Sequence, residues 1–395
     1  MASKVPSTGW GYFYLAGAID DERWKYSLVL HEAAYRPAFA GSVADFIQTH
    51  RTVFPSIALH LSNKVKRCPA CGKSCGYTIS HCNNCGGSIE LQSVTRTDNA
   101  LMGFVYGIGV SDCGTLGTSI RFQCDSFLVY DDIMQTTLIH LNSIPTGTYI
   151  PDFRFLLSQP KRGLALIMEL FRKAKQAACK MLEQPQFVSK FYSANAVQKL
   201  AAEGVEHFVS SYVLSGFNYP PSQCQLHLQF ILPPYVPYHA VLQAEGKHLD
   251  MNRFFPFDYV VRLLETLVAS NACIPMVQIA SMSGSELISF LDKTCDLDYC
   301  HFYHEAVIAN RKNSDWCSNW VSDDFSYMVI NKSEVVPLRS CTEPLLPKSP
   351  LALLELDRTV LQSYGRTANG NTQIQYYSYP KRPGEVRNWD ETDLP

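Results

Sequence analysis

Two pairs of cysteines constrain the fold of this chain more than any other feature of its sequence. Cys68 and Cys71 form one Cys-x2-Cys pair, Cys82 and Cys85 form the second, and ten residues separate the pairs. Each pair is followed by a glycine, which lets the backbone turn tightly without a clash from a Cβ atom. Two such turns that face each other supply four sulfur ligands at tetrahedral geometry, which suits Zn²⁺. The spacing therefore predicts a zinc ribbon over residues 66–90.

The predicted zinc site is structural rather than catalytic. Four protein sulfurs leave no open position on the metal for water or substrate. Metal binding also supplies folding free energy, on the order of 10–16 kcal/mol in comparable peptides, to a segment with few large apolar residues. Cys75 and His81 lie close enough in the sequence to be alternative ligands, and a redox pair or disulfides are the competing interpretation.

The composition is that of a folded protein with a small-molecule ligand. Of 395 residues, 46% are hydrophobic, and 34 Lys and Arg nearly balance 36 Asp and Glu. Because this balance does not favour a surface that coats a polyanion, we do not expect nucleic acid as a partner. The sequence contains no run of eighteen apolar residues and no apolar leader segment. We therefore expect no membrane span and a reducing, cytoplasmic location.

Beyond the cysteine pairs, the periodicity of the sequence predicts an α+β fold. Apolar residues at helical spacing predict a long helix from Pro160 to Leu182. The predicted strands cover residues 101–110, 120–130, 137–144, 206–215 and 223–232, and the predicted C-terminal helices cover 258–270 and 283–292. The predicted division is a mixed N-terminal segment (1–65), the ribbon (66–90), a central domain (95–240), a mostly helical C-terminal region (241–367) and an extended tail (368–395), either disordered or laid over the surface.

One predicted strand carries a row of polar side chains that suits a phosphate site. Gln225, His227 and Gln229 alternate with apolar residues and so share one face of the strand. Amides can donate hydrogen bonds to phosphoryl oxygens, and a neutral imidazole can attack phosphorus. The alternative is a half-exposed strand whose polar side faces water.

The residues from Ser222 to Gln229 resemble the active-site strand of the diadenosine tetraphosphate phosphorylase branch of the histidine-triad superfamily. That branch reads Ser-Gln-Pro-His-x-His-Leu-Gln, and its second His forms a covalent nucleotidyl intermediate. Residues 127–132 and 140–145 are similar to the superfamily's nucleoside-binding strand pair, and Asn218 resembles its phosphate-contacting Asn. The resemblance covers about residues 98–240. It implies a nucleotide-binding domain built on an antiparallel, histidine-triad-like sheet with flanking helices.

The resemblance also implies roles for individual residues. His227 is the expected nucleophile and Gln229 the expected donor to the α-phosphate. The expected nucleotide contacts are Asp131, Asp132, Asn142, Asn218, Ser222, Gln223 and Gln225. Either Asp131 or Asp132 would hold the ribose hydroxyls, unless both are solvated in a turn. His140 is expected to be a packed structural imidazole. The cations expected near the phosphates are Arg154, Lys161 and Arg162.

Gln225 departs from the family pattern, which has His at this position. An amide cannot shuttle protons, so the site lacks one candidate acid for the leaving group. This loss matters least for a weakly basic leaving group such as phosphate. The substitution therefore favours phosphoanhydride substrates, or a site that binds a nucleotide without turning it over.

Two functions follow from these observations. The first is a nucleotidyl transferase, phosphorylase or hydrolase that cleaves a nucleoside polyphosphate or nucleoside diphosphate sugar through a His227 adduct. The second is a catalytically inactive nucleotide-binding scaffold or sensor that works through protein partners. Family members often pair their sheets, so a homodimer is the expected assembly, unless the added segments of this chain fill that role within one protomer.

Overall fold

The structure of the chain is a computed structural model. It describes residues 14–15, 39–70, 72–82, 86–109, 120–124, 126–132, 136–235, 243, 246, 248–308, 320, 326–331, 334–340 and 382–390.

The first third of the chain forms short helices and a small sheet. Its elements are β1 (Tyr14–Leu15), α1 (Val43–His50), α2 (Ile57–His60), β2 (Ser62–Arg67), β3 (Ser74–Gly76), β4 (Val94–Asp98) and α3 (Ala100–Val105). The antiparallel strands in the order β3-β2-β4 form a sheet, which we call the ribbon sheet. A separate small core of Cys68, Cys75, Ile79, Cys82 and Ile89 lies beside it.

The middle of the chain forms the main sheet and the helices that flank it. Its elements are β5 (Ile120–Gln123), β6 (Phe127–Asp131), β7 (Thr137–Pro145), β8 (Thr148–Tyr149), a 3-10 helix (Phe153–Ser158), α4 (Pro160–Leu182), α5 (Pro185–Phe191), α6 (Ala194–Glu203), α7 (Val205–Tyr212), β9 (Leu214–Asn218), β10 (Leu228–Tyr235) and β11 (Phe254–Pro256). Six strands in the order β11-β9-β10-β7-β6-β5 pair antiparallel throughout. The predicted α+β class, an antiparallel sheet with flanking helices, is therefore confirmed.

The last third begins with helices. Its elements are α8 (Phe257–Ala269), α9 (Met276–Ile279), α10 (Gly284–Cys295), α11 (Tyr299–Tyr303), a π-helical turn (His304–Ile308), β12 (Ser326–Asn331), β13 (Glu334–Ser340) and β14 (Arg387–Asn388). Strand β12 pairs with β13 on one side and with β1 on the other, and β14 runs parallel to β8. The helices predicted over 258–270 and 283–292 are confirmed as α8 and α10.

The two faces of the main sheet pack against different parts of the chain. On the face we call the back, Val129, Leu141 and Phe230 share one apolar cluster with α4, α8 and α10. On the opposite face, which we call the front, Leu128, Tyr130 and Ile144 pack against α1 and α3. The alternation of side chains along each strand produces this division.

Two segments predicted as strands are helical. Helix α7 occupies most of residues 206–215, and its N-cap is Gly204, whose φ of 78° is a conformation that glycine adopts at little cost. Helix α3 begins after Asn99, whose side-chain oxygen accepts a hydrogen bond from the Met102 amide at 3.3 Å. The Asn99 side chain satisfies one of the amides that a helix leaves unpaired at its start, and such a local bond outweighs an ambiguous apolar pattern. Among the described residues, no helix combines the length and apolar character needed to cross a membrane.

Candidate functional site

Three adjacent strands bring polar side chains together on the front face of the main sheet. Gln229 of β10 lies opposite Asn142 of β7, which in turn lies opposite Tyr130 of β6. Residues directly opposite each other in an antiparallel pair project to the same side, and residues two apart in one strand do so as well. His227, His140 and Asp132 therefore share this face with Gln229 and Asn142, beyond the apolar part that α1 and α3 cover.

His227 is held in the tautomer that a nucleophile needs. Its Nδ1 lies 2.7 Å from the backbone carbonyl oxygen of Gln225. Because a carbonyl only accepts hydrogen bonds, Nδ1 carries the proton and Nε2 keeps its lone pair. Burial lowers the pKa of the imidazole, while the bond to the Gln225 carbonyl opposes that shift. The ring is thus neutral near pH 7, half-buried, and oriented by its own backbone.

Asp132, His140 and Asn142 form a second polar group beside His227. One carboxylate oxygen of Asp132 accepts a hydrogen bond from the Asn142 amide at 2.7 Å and lies 3.6 Å from His140 Nε2. The Thr136 amide donates to His140 Nδ1 at 3.2 Å, so the proton of the neutral ring is on Nε2, facing Asp132. Burial lowers the pKa of His140, and the Asp132 carboxylate opposes this. His140 is buried, as expected of a packed imidazole.

Asp131 and Gln225 do not face the site, contrary to expectation. The Asp131 carboxylate lies on the back face and makes two hydrogen bonds to the buried Arg121 guanidinium, at 2.7 and 2.6 Å. The Gln225 side chain is fully buried and makes three hydrogen bonds, at 2.7–3.0 Å, to backbone groups of residues 145–150. These side chains stabilise the fold, and Asp132 is the carboxylate of the pair that faces the front.

Gln223 joins the ribbon sheet to the histidine strand. Its side-chain oxygen accepts hydrogen bonds from Asn63 of β2 at 2.9 Å and from the Ala100 amide at 2.8 Å. Asn63 in turn accepts a hydrogen bond from the Cys224 amide at 2.7 Å. The Gln223 oxygen thus holds the ribbon sheet in place. A phosphate contact from its amide NH₂ group stays a prediction. Ser222 is half-buried in the same turn.

The cation beside the site is Arg253, which sequence analysis did not identify. It is 5% exposed, its Nη1 donates to the side-chain oxygen of Asn218 at 3.2 Å, and its charge contributes to lowering the pKa of His227. No motif marks it, because it reaches the site through the pairing of β11 with β9. Asn218, at the end of β9, therefore adjoins this cation, and its contact with a phosphate stays a prediction.

The three cations predicted from the sequence do not surround His227. Arg154 pairs with Asp152 at 2.8 Å and donates to the carbonyls of residues 279–280. The Arg162 guanidinium lies 4.3 Å from the centre of the Trp389 ring. Lys161 is exposed at the start of α4, the helix that packs against the back face. Within the described residues, the contacts of Arg154 and Arg162 are with groups other than His227, and Arg253 is the arginine whose charge acts on its imidazole.

The cysteine turns have matching geometry. The Gly72 amide donates to the Cys68 carbonyl at 2.8 Å, and the Gly86 amide donates to the Cys82 carbonyl at 2.7 Å, with both glycines at positive φ. The Sγ atoms of Cys75 and Cys82 lie 3.6 Å apart. This separation is close to the roughly 3.8 Å between two sulfurs that bind one Zn²⁺ at 2.3 Å.

Thiol donors at this spacing fit a zinc site, with Cys75 as a further candidate ligand. Cys71 and Cys85 lie outside the described residues. Within the part of the chain that the structure describes, no three donor side chains are grouped closely enough to hold an ion. Zinc at Cys68, Cys71, Cys82 and Cys85 therefore stays a prediction.

No protein-family model and no curated protein matches this chain. Among solved structures, the chain is similar to Hnt3, with 12% identity and a TM-score of 0.24 over 48% of this chain and 90% of that chain. A structure of Hnt3 in complex with DNA and guanosine gives 12% identity and a TM-score of 0.24 over 48% and 91%. The crystal structure of the aprataxin orthologue Hnt3 from Schizosaccharomyces pombe gives 11% identity and a TM-score of 0.24 over 48% and 88%.

These matches correct the prediction that nucleic acid is not a partner, since Hnt3 was solved in complex with DNA. That prediction rested on net charge, which averages over the whole surface and conceals local concentrations of one sign. Lys64 and Arg96 are exposed and lie directly opposite each other on the ribbon sheet, and Lys66 lies on the same face.

Proposed function

We propose that this chain is an enzyme that transfers a nucleotidyl group through a covalent adduct on His227. The observation that carries the proposal is the hydrogen bond from His227 Nδ1 to the Gln225 carbonyl oxygen, which directs an unprotonated Nε2 to the front face. The substrate class is a nucleoside polyphosphate or a nucleoside diphosphate sugar, because the site has an activated nucleophile but lacks the acid of the His-x-His pattern.

The chemistry proceeds in two displacements. His227 Nε2 attacks the α-phosphorus, and the bond from that phosphorus to the bridging oxygen breaks, so the electron pair leaves with a phosphate or sugar phosphate. The Nδ1 proton remains on the ring, where the Gln225 carbonyl stabilises the positive charge of the adduct. Water, phosphate or another acceptor then attacks the same phosphorus and releases the ring.

Other residues of the front face would bind and orient the substrate. Asp132, with 17% of its side chain exposed, is placed to accept hydrogen bonds from the two ribose hydroxyls. Gln229 on β10, and the Asn218–Arg253 pair at the end of the neighbouring strand β9, would donate hydrogen bonds to phosphoryl oxygens. Arg253 is the group that would counter the charge that develops on phosphorus.

Trapping of the adduct tests this proposal. The protein is incubated with α-³²P-labelled nucleoside triphosphates, dinucleoside polyphosphates and nucleotide sugars, and acid-labile protein-bound label is measured. We expect label on the wild type and on His207→Ala, an exposed control on α7, and none on His227→Ala. Absence of an adduct with every substrate, together with measurable nucleotide affinity, would favour the inactive scaffold or sensor instead.

A second candidate is a nucleotide carried on a nucleic acid, which the basic face of the ribbon sheet favours. Lys64 and Arg96 together present two exposed cations, and Asn63 and Gln223 join this sheet to the histidine strand. We expect an oligonucleotide to bind with a strong salt dependence. Lys64→Glu combined with Arg96→Glu should weaken this binding, while Lys293→Glu, at an exposed position of α10, leaves it intact. Equal binding by both variants argues against this candidate.

A further inference from the structure

Arg253 lies between the ribbon sheet and the nucleotide-binding face. Its guanidinium donates to Asn218 at the end of β9 on one side. On the other side it lies against β3, where a Cβ atom added at Gly76 would come within 3.3 Å of Arg253 Nε and 2.7 Å of the Pro220 carbonyl oxygen. The backbone of the ribbon sheet therefore packs directly on the buried guanidinium, with no room for a side chain between them.

Arg253 donates fewer hydrogen bonds to the described residues than its guanidinium can make. A guanidinium has five N–H donors, and here Nη1 donates to Asn218 while Nε has no hydrogen-bond partner among the described residues. Burial lowers the pKa of Arg253, and the acidic groups that oppose this shift are Asp250, Cys75 and Cys82. A buried cation with unused donors requires an anionic partner nearby.

The cysteine centre can supply that partner. Zn²⁺ bound by four thiolates carries a net charge of about −2, and thiolates that bind zinc accept hydrogen bonds from groups around the site. Cys75 is the residue before Gly76, whose backbone packs against Arg253 Nε. The sulfurs of Cys75 and Cys82 lie 3.6 Å apart, and both oppose the lowering of the Arg253 pKa. At its other end, the same cation holds Asn218 and influences His227 electrostatically. One side chain thus lies between two sites.

We propose that Arg253 is a positioning residue that couples the two sites, donating hydrogen bonds to the metal-bound thiolates of the ribbon and to Asn218. Metal loading then fixes the position of Asn218 and of the guanidinium beside the phosphate site. The coupling to nucleotide rests on the proposed function, whereas the contact with the cysteine centre does not. By thermodynamic reciprocity, nucleotide binding must tighten metal binding by the same factor.

The metal side of the proposal is tested without nucleotide. Full-length protein is loaded with Co²⁺, whose thiolate charge-transfer band reports on the sulfurs, and Zn²⁺ affinity is measured by competition with a chromogenic chelator. We expect Arg253→Met to shift the band and to lower Zn²⁺ affinity about 10- to 100-fold. Arg253→Lys keeps the positive charge and serves as the variant that is less disruptive to folding. It should also shift the charge-transfer band. Arg262→Met, at an exposed position of α8, should change neither. An unchanged band and affinity in both Arg253 variants overturns the proposal.

The coupling is tested by measuring the affinity of fluorescent ATP and GTP analogues with and without Zn²⁺. We expect Zn²⁺ to tighten binding by about 10-fold in the wild type and in Arg262→Met, and by less than about 2-fold in Arg253→Lys. Equal tightening in Arg253→Lys overturns the coupling. If the Zn²⁺-loaded wild type binds no nucleotide, the proposed function fails, and the Co²⁺ spectra still decide whether Arg253 contacts the cysteine centre.

Discussion

The activity of this site should depend on pH through its histidines, which burial keeps neutral. Because the nucleophilic form of His227 is unprotonated and its pKa is lowered by burial, we expect adduct formation to be constant near pH 7. The rate should fall only as the pH drops through a value below 6.5, the ordinary pKa of the ring. Rapid-quench measurement of label transfer between about pH 5 and 8 checks this. A midpoint above pH 6.5 would contradict a His227 ring whose pKa is lowered by burial.

The same residues make folding sensitive to acid. His140 and His227 both have lowered pKa values in the folded state, so below 6.5 the unfolded chain binds protons that the folded chain does not. Their contribution to stability is therefore fully present above 6.5 and is lost as the pH falls from there toward the folded pKa values. Urea unfolding at several pH values should give a shallower pH dependence for His140→Asn than for the wild type. His207→Asn, an exposed control, should keep the wild-type slope.

Gln225 has a structural role, although the resemblance places a catalytic residue at this position of the sequence. Substitution by Leu removes three buried hydrogen bonds, one from the Ile150 amide and two to the carbonyls of Pro145 and Thr148. At about 1 kcal/mol for each bond, we expect Gln225→Leu to lower the free energy of unfolding by about 3 kcal/mol. Denaturant titration measures this loss. Gln229→Leu, on the half-buried front face, should cost less than about 1 kcal/mol while weakening nucleotide binding; a similar cost for both would contradict the difference in burial.

At the scale of elements, the sequence predicts those helices and strands whose apolar residues recur with a regular period. The long helix α4 and the alternating strand β10 follow directly from periodicity, and so does the front-face position of His227. Helix α7 was predicted as a strand because eight residues with several β-branched and aromatic side chains fit either period. Asp131 was placed in the site because two adjacent carboxylates of a strand face opposite ways, and only the register shows which one faces the front.

Arg253 illustrates what no local pattern can provide. It is separated from His227 by twenty-five residues and comes next to it only because β11 pairs with β9. Likewise, the hydrogen bond between Asn63 and Gln223 could not be predicted, because the two residues are 160 positions apart in the sequence. Contacts between distant elements are decided by the fold as a whole.

The ribbon sheet should depend on metal, because its own core is small. The five residues of that core include three cysteines, which gives little apolar surface to stabilise residues 62–98. We expect chelation of zinc to raise hydrogen exchange in this segment while α4, in the large back cluster, keeps its protection. Exchange measured by mass spectrometry separates the two. Unchanged exchange in residues 62–98 after verified metal removal would contradict a structural zinc site.

At the scale of the molecule, a segment close to the C-terminus ties several parts of the chain together. Strand β14 pairs with β8, and Asn388 lies 2.7 Å from Nε2 of His60, which ends α2. Trp389 is buried and stacks with Arg162 of α4. Residues 382–390 of the predicted extended tail are therefore packed against the body. Because β8 also accepts a hydrogen bond from Gln225, this segment adjoins the start of the histidine strand.

Removal of this segment should destabilise the whole molecule rather than one end of it. A chain that stops at residue 381 loses the buried side chains of Val386 and Trp389 and leaves His60 without its Asn388 partner. Loss of a buried Trp alone costs about 3–5 kcal/mol, so we expect a decrease of at least that size in the free energy of unfolding. The chain that stops at residue 390 is the matched control, since it keeps every one of these contacts and should unfold as the full chain does. Urea unfolding followed by far-UV circular dichroism compares the three proteins. Equal stability of the 381 and 390 chains would mean that the contacts of β14 do not hold α2, β8 and α4 together.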